Sequence, residues 1–260
     1  MLLDRYTVIP QRSPLHDAPI FWCRSTGTTM DDARLLGDQL PSGSVLVADE
    51  QTAGRGRGEG RVWHAAAGEN LLFTLLVDDA DAVPTGSHSV GSVPLRAGLA
   101  VADVALGLGA VAGSVRIKWP NDILIHGAKT CGILCEGRGG RIHIGIGLNL
   151  NQERFSVESA PLPPTSLAAA TGHRFDAEAV LLMLLERLRR DLRDGDWRRK
   201  VELHLFRESV ICADGECGRV EGIGDHGELL VARTDGSTLR VLQPDQVVYA
   251  SRPSSPGERE

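Results

Sequence analysis

Residues 114–150, SVRIKWPNDILIHGAKTCGILCEGRGGRIHIGIGLNL, decide the fold class. Four short apolar or β-branched runs, SVRIKW, DILIHG, TCGILCEG and RIHIGIGLNL, follow one another at hairpin-like spacing. Parallel strands need a crossover of a dozen or more residues, usually a helix, and there is no room for one between these runs. The segment therefore predicts a mixed, mostly antiparallel sheet flanked by helices, an α+β architecture rather than repeated βαβ units.

Upstream, SVLVADE (44–50) and NLLFTLLV (70–77) read as two further strands, joined through a Gly/Arg stretch at 54–61 that is too glycine-rich for helix or ladder. TTMDDARLLGDQL (28–40) places Met30, Ala33, Leu36 and Leu40 at helical spacing behind a capping-box-like Thr/Asp pattern, so a helix begins at Thr28 or Thr29. PLRAGLAVADVALGLGA (94–110) predicts a helix whose small residues let it pack closely on a sheet. After a Gly/Ser/His segment at 85–93 with no clear reading and a Pro-rich loop, SAPLPPTSL (159–167), helices are expected at 176–194 and 197–206. Residues 1–20 are Pro-interrupted and aperiodic and read as a loose or docking tail, 21–206 as the main domain, and 251–260 as a disordered tail. Between 207 and 250 the texture changes to short alternating runs separated by turn signals, which suit a small β-barrel leaning on the main domain.

The net charge of −6 and the 4% aromatic content argue against a stacking-rich nucleic-acid surface, and no stretch approaches a membrane span, so neither partner is expected. Five cysteines, Cys23, Cys131, Cys135, Cys212 and Cys217, form no CxxC pair; reduced thiols and a cytoplasmic protein are the expectation. No protein-built metal site is expected, because the histidines do not cluster with other ligands at metal spacing. GxSxG and HExxH are absent, Gly127-Ala128-Lys129-Thr130 lacks the Gly-Lys step of a P-loop, and the glycines at 54, 56, 58 and 60 miss the GxGxxG spacing.

Three segments carry chemistry: EQTAGRGRGEGRVW (50–63), KWPNDILIHGAKTCGIL (118–134) and GIGLNLN (145–151). In the first, glycines free backbone N–H groups to turn towards an anion, while Arg55, Arg57 and Arg61 supply permanently charged forks. Such a run serves equally as a flexible loop or an RNA-binding segment; its place between two strands favours an anion clamp. In the second, Lys118, Asn121, Asp122 and Lys129 surround a Trp119-Pro120 pair, a set that suits a nucleotide with magnesium and, residue by residue, also suits an ordinary polar hairpin.

In this order, and with STGTTMDDA (25–33) ahead of them, the segments resemble the catalytic domain of biotin protein ligases. The resemblance implies a class II synthetase-like biotin/lipoate ligase fold with a C-terminal SH3-like barrel at 207–250. It implies ATP-dependent biotinylation of a lysine on a biotin carboxyl carrier protein domain, by way of biotinyl-5'-AMP. ATP, biotin and Mg2+ follow as substrates and cofactor. Biotin would be held by Thr28, Thr29, Gln51, Gly54, Arg55, Gly56, Arg57, Lys129, Gly132 and Ile133, and ATP by Arg57, Trp63, Lys118, Asn121, Asp122, Lys129 and Asn149, with Trp63 stacked near the adenine. Lys129, Arg55, Arg57, Lys118 and Asp122 would be the catalytic set.

Two departures stand out. Gly58-Glu59-Gly60 makes the Arg/Gly loop one residue longer than the family pattern, leaving the placement of Arg61 and Trp63 open, and Met30 stands where an Asn is frequent. About 20 residues precede the first motif, against roughly 60 for a winged helix, so the form without a DNA-binding domain is expected. A lipoate or octanoate ligase is the alternative, set aside on the joint presence of GRGR and KWPND. The oligomeric state is not legible.

Overall fold

The structure, a computed structural model, describes residues 2–58, 60–82, 90–155 and 162–250. Its strands are β1 (Thr7–Ser13), β2 (Ala18–Thr26), β3 (Val45–Gln51), β4 (Asn70–Asp78), β5 (Val115–Lys118), β6 (Asp122–Ile125), β7 (Ala128–Arg138), β8 (Arg141–Asn149), β9 (Ser209–Cys212), β10 (Cys217–Ile223), β11 (Leu229–Arg233), β12 (Thr238–Val241) and β13 (Val247–Tyr249). The helices are α1 (Thr29–Leu36), α2 (Asp79–Ala82), α3 (Val93–Gly107), α4 (Leu167–Thr171), α5 (Ala177–Asp191) and α6 (Trp197–His204).

Eight strands form one sheet in the order β1-β2-β3-β4-β8-β7-β6-β5. The 114–150 segment supplies four of them as consecutive antiparallel hairpins, as its spacing predicts. Only β2 and β3 run parallel, joined by α1, so the sheet is mixed and mostly antiparallel. Both faces of its centre are covered. Along β4, Leu71, Phe73, Leu75 and Val77 enter the main core with α3 and α5, while Leu76 joins Ala33 and Leu36 of α1 in a second cluster on the opposite face. A strand buried on both sides has no polar face to show, which is why NLLFTLLV reads as a continuous apolar run.

The remaining strands form a five-stranded antiparallel sheet in the order β12-β11-β10-β9-β13. It is tied to the main sheet through the buried Trp119, whose Nε1 donates to the Gly227 carbonyl at 2.8 Å. Phe206 N, which precedes it, donates to the Ile117 carbonyl at 2.9 Å.

Several expectations need correction. Of the two readings of the N-terminal segment, residues 2–20 are docked rather than loose, and as a strand rather than a tail: Leu2–Arg5 form a 3-10 turn and β1 pairs with β2. Pro10 argues against a strand in a sheet's centre but is tolerated at an edge, and β1 is the edge strand, with its register shifting between Val8 and Arg12. The segment is anchored by Tyr6, which is buried and donates its hydroxyl to Asp32 at 2.6 Å. The helix at 28–40 stops at Leu36 and continues as a 3-10 turn, Gly37–Gln39. Its cap is Thr28 accepting from Met30 N, and Asp32 bonds Tyr6 and Thr26 rather than closing a capping box. The Gly/Arg connection holds one ladder rung, Arg55 with Val62. The Pro-rich loop leads into α4, capped by Ser166. Expectations for 251–260, most of 85–93 and part of the Pro-rich loop lie outside the described residues.

Tyr6→Phe should lower the unfolding free energy by about 1 kcal/mol, the worth of one buried hydrogen bond. Urea denaturation of the two proteins measures this, and coincident curves would mean that the N-terminal segment is not anchored through Asp32.

Candidate active site

The site is built on a bare strip of the sheet. Gly132 of β7 and Gly147 of β8 are cross-strand partners, and Gly145 lies two residues along on the same face. The indole of Trp63 lies across the pair: a Cβ at Gly132 would fall 2.9 Å from its Cζ3, and one at Gly147 2.8 Å from its Cε2. Only glycine leaves room for a flat ring against these strands. The Trp63 Nε1–H is buried without a partner among the described residues. With the indole in place the remaining cavity is about 60 Å3, space for a few waters, well below the volume of a ligand pocket.

The N-terminus of α1 forms one wall. Gln51 Oε1 at the end of β3 accepts from Thr29 N at 2.8 Å and from Thr29 Oγ1 at 3.1 Å, and Thr29 Oγ1 lies 2.8 Å from Thr74 Oγ1 of β4. Thr28, Thr29 and Gln51 thus line the cavity together. Met30 fills the side over Gly145 with its methyl group, an apolar contact where the resemblance led one to look for an amide.

Lys129 reaches this cavity through a bulge. Ile123 pairs with Cys131, but Leu124 pairs with Lys129, so β7 carries one residue more than β6 over that span. Positions 129 and 132 are an odd number apart and would face opposite sides of a regular strand. The surplus residue re-aims the lysine, whose Cε comes to 3.6 Å from where a Gly132 Cβ would sit and whose Nζ lies 5.4 Å from the centroid of the Trp63 ring. Nζ also pairs with Asp122 Oδ1 at 2.7 Å.

Asp122 faces a second, larger cleft of about 1680 Å3 between the two sheets, lined also by Lys118, Arg61, Phe206 and Tyr249. Arg57 and Asn121 line both spaces, so the small cavity opens on the large one beside Lys129. Asn121 is fixed by donating Nδ2 to the Ile133 carbonyl at 2.8 Å. Burial draws the protonation of both Arg57 and Lys118 below their ordinary values. Neither has an ion-pair partner among the described residues. Arg55 does: it pairs with Asp31, which also holds Arg34 at 2.8 Å, and Arg34 Nε bonds Glu136 at 2.6 Å. The Arg/Gly loop is thereby pinned to α1 and β7 at its exposed mouth.

Of the residues singled out from sequence, Thr28, Thr29, Gln51, Arg55, Gly56, Arg57, Trp63, Asn121, Lys129, Gly132 and Ile133 line the small cavity, and Lys118 and Asp122 the cleft. Gly54 lies behind the lining, its carbonyl accepting from Trp63 N at 2.9 Å. Two placements differ from expectation. Asn149 lines neither space; Thr165 N donates to the Lys129 carbonyl, and the segment it belongs to covers the amide, whose Nδ2 donates to the Thr165 carbonyl at 3.0 Å. Trp63 sits on the glycine floor, while Arg61, left open by the longer loop, faces the cleft. Sequence reasoning gave no role to Phe73, Thr74, Leu134, Ile146, Gly145 and Gly147, although the last four lie within segments it singled out. The Gly-Ile-Gly alternation at 145–147 was the available signal for the last two, since a period of two puts both on one face.

A profile of the Biotin/lipoate A/B protein ligase family matches residues 21–152. The bifunctional ligase/repressor BirA of Bacillus subtilis is 34% identical over 221 residues, covering 78% of this chain and 65% of that protein. The chain thus spans about 65% of the length of that relative. The biotin–acetyl-CoA-carboxylase ligase of Paracoccus denitrificans is 32% identical over 231 residues, 79% of this chain and 91% of that protein. Among solved structures, the biotin protein ligase from Aquifex aeolicus in complex with biotin and ATP superposes with a TM-score of 0.74 at 26% identity, covering 88% of this chain and 97% of that one.

Gly147→Ala tests the floor. The added methyl cannot coexist with the indole, so Trp63 should be driven towards solvent and tryptophan emission should shift to the red. Emission identical to the parent protein would show that the ring does not rest on this strand.

Proposed function

The chain belongs to the biotin/lipoate A/B protein ligase family, and from that premise we propose that it activates biotin with ATP and transfers the biotinyl group to a lysine of a biotin carboxyl carrier protein domain. The observation that carries the reading is the junction of the two spaces. Lys129 lines the small cavity and is paired with Asp122 of the large cleft, while Arg57 and Asn121 belong to both. An acid held on the glycine floor would present its carboxylate at this junction, and a nucleotide in the cleft its α-phosphate.

In the first step a carboxylate oxygen attacks the α-phosphorus, the bond to the bridging oxygen breaks, and pyrophosphate leaves with biotinyl-5'-AMP formed. Two anions must approach, and in a water-poor site their repulsion is large unless cations lie between them. Lys129 is placed to neutralise both the carboxylate and the α-phosphate, with Arg57 beside it; Lys118 would face the leaving phosphates from the cleft. In the second step the carrier lysine's amine attacks the acyl carbon, AMP leaves, and the amine proton passes to solvent. Arg55 and Arg57 on the Arg/Gly loop would keep water from the mixed anhydride until the carrier arrives.

Mg2+ would neutralise phosphate charge. Magnesium is a hard ion that takes oxygen ligands, so a carboxylate and an amide oxygen at the cleft would be suitable donors. Asp122, with the Asn121 amide, is the available donor set.

The small cavity must enlarge to admit a bicyclic acid, and Trp63 is the side chain that would move. Freed from the glycine pair, its ring could stack on an adenine in the cleft. Residues 21–206 would act as the catalytic domain and 207–250 as an SH3-like barrel that closes the far side of the cleft. No helix among the described residues is long and apolar enough to cross a membrane, and a cytoplasmic setting agrees with the five cysteines, all free.

Exchange of labelled pyrophosphate into ATP, run separately with biotin, lipoate and octanoate, tests the reading. Exchange with biotin alone is expected; exchange confined to the other acids would transfer the chain to the lipoate side of the family. Lys129→Ala should abolish exchange while leaving the circular dichroism spectrum unchanged, and parental exchange rates in that variant would remove Lys129 from the first step. Arg57→Ala should still form the adenylate slowly but release it, detectable as biotinylation of bystander proteins; an adenylate retained as firmly as in the parent would refute the clamp.

A further inference from the structure

We propose that Tyr249, on the last strand of the C-terminal sheet, is a positioning residue that holds the Lys118 ammonium towards the nucleotide phosphates. The Lys118 Nζ lies 4.5 Å from the centroid of the Tyr249 ring, the geometry of a cation–π contact. The proposal rests on the reading that Lys118 meets those phosphates.

The contact matters because Lys118 has no ion-pair partner among the described residues. Its nearest acid in the hairpin is Asp122, the residue opposite it in the β5–β6 register, and that carboxylate is already paired with Lys129 at 2.7 Å. A lysine on a four-carbon stem without a fixed partner samples many rotamers, and each must be given up when a phosphate binds. A carboxylate partner would fix the stem but would also cancel the charge that the phosphate is to feel. An aromatic face restrains the ammonium while leaving its charge in place.

The ring itself is well held. Tyr249 pairs with Val210 of β9, and its ring lies 5.6 Å from that of Phe206, tilted by 39°. Phe206 is fastened by its N–H to the Ile117 carbonyl, next in the chain to Lys118. The Tyr249 hydroxyl is buried and has no hydrogen-bond partner among the described residues, so the ring's location is set by packing and not by its polar end. Both residues line the large cleft. The C-terminal sheet thus contributes to the first chemical step through a side chain that orients a cation of the main sheet.

The test is the KM for ATP in biotin-dependent pyrophosphate exchange, measured on the full chain for Tyr249→Leu, Tyr249→Phe, Lys118→Gln and the Lys118→Gln/Tyr249→Leu double variant. Tyr249→Leu, which fills the space without a π face, should raise the KM for ATP by about twofold to thirtyfold, the range of a cation–π contact, and leave the KM for biotin unchanged. Tyr249→Phe keeps the ring and should restore most of the affinity. In the Lys118→Gln background the leucine substitution should add nothing further. A loss that adds fully to that of Lys118→Gln, or one as large in Tyr249→Phe as in Tyr249→Leu, would overturn the assignment. An unaltered KM for ATP in Lys118→Gln would instead remove Lys118 from the phosphates, and the role of Tyr249 with it. Should Tyr249→Leu fail to fold, Tyr249→Met provides the same comparison with a more adaptable side chain.

Discussion

The register between β7 and β8 is the constraint on which the site depends. Opposite Gly132 stands Gly147, and one step to either side stands Ile146 or Leu148. A slip of one residue would reverse the faces of an entire strand, placing an isoleucine or leucine where the indole now lies and sending glycines into the core beneath α3. The long pairing from Cys131–Leu148 to Arg138–Arg141, closed by a turn at Gly139-Gly140 with positive φ at both, holds that register against the slip. The site therefore comes less from particular side chains on the floor than from withholding them at three places on one face.

Around this strip the positive groups fall into two kinds. Lys129 and Arg55 already have carboxylate partners, Asp122 and Asp31. The exposed Arg55–Asp31 pair is worth little, about 0–1 kcal/mol, and can exchange partners readily when an anionic substrate arrives; the Lys129–Asp122 pair is the more buried of the two. Among the described residues Arg57 and Lys118 have no such partner, and both are partly desolvated, which disfavours their charged forms and makes an incoming phosphate a stronger attractor. A protein with a net charge of −6 thus keeps a cationic junction where two spaces meet.

Much of this was legible in the sequence where the information is local. The hairpins of 114–150 follow from spacing, and α1 follows from its apolar period and its capping threonine. Legibility fails where a distant residue decides. Pro10 argues against a strand until it is known that β1 lies at an edge, and Tyr6 gives no sign of meeting Asp32, twenty-six positions away. Asn149 has the right phase to face the site, yet the segment around Thr165 covers it. The motif marks Trp63, but where its ring lies is set by the glycines of two other strands, far from it in sequence.

The surplus residue on β7 has a bearing on how this stretch of chain can vary. Because the bulge shifts the alternation by one, the lysine's access to the cavity depends on the number of residues between Lys129 and Gly132 as well as on their identity. Chain length here behaves as a parity: an odd change turns the ammonium into the hydrocarbon side of the sheet, where a charge is costly, while an exchange of one residue for another leaves the parity intact. A sequence that varied freely in composition across this hairpin would still be held to that parity, and a single inserted or lost codon would be more damaging than most replacements.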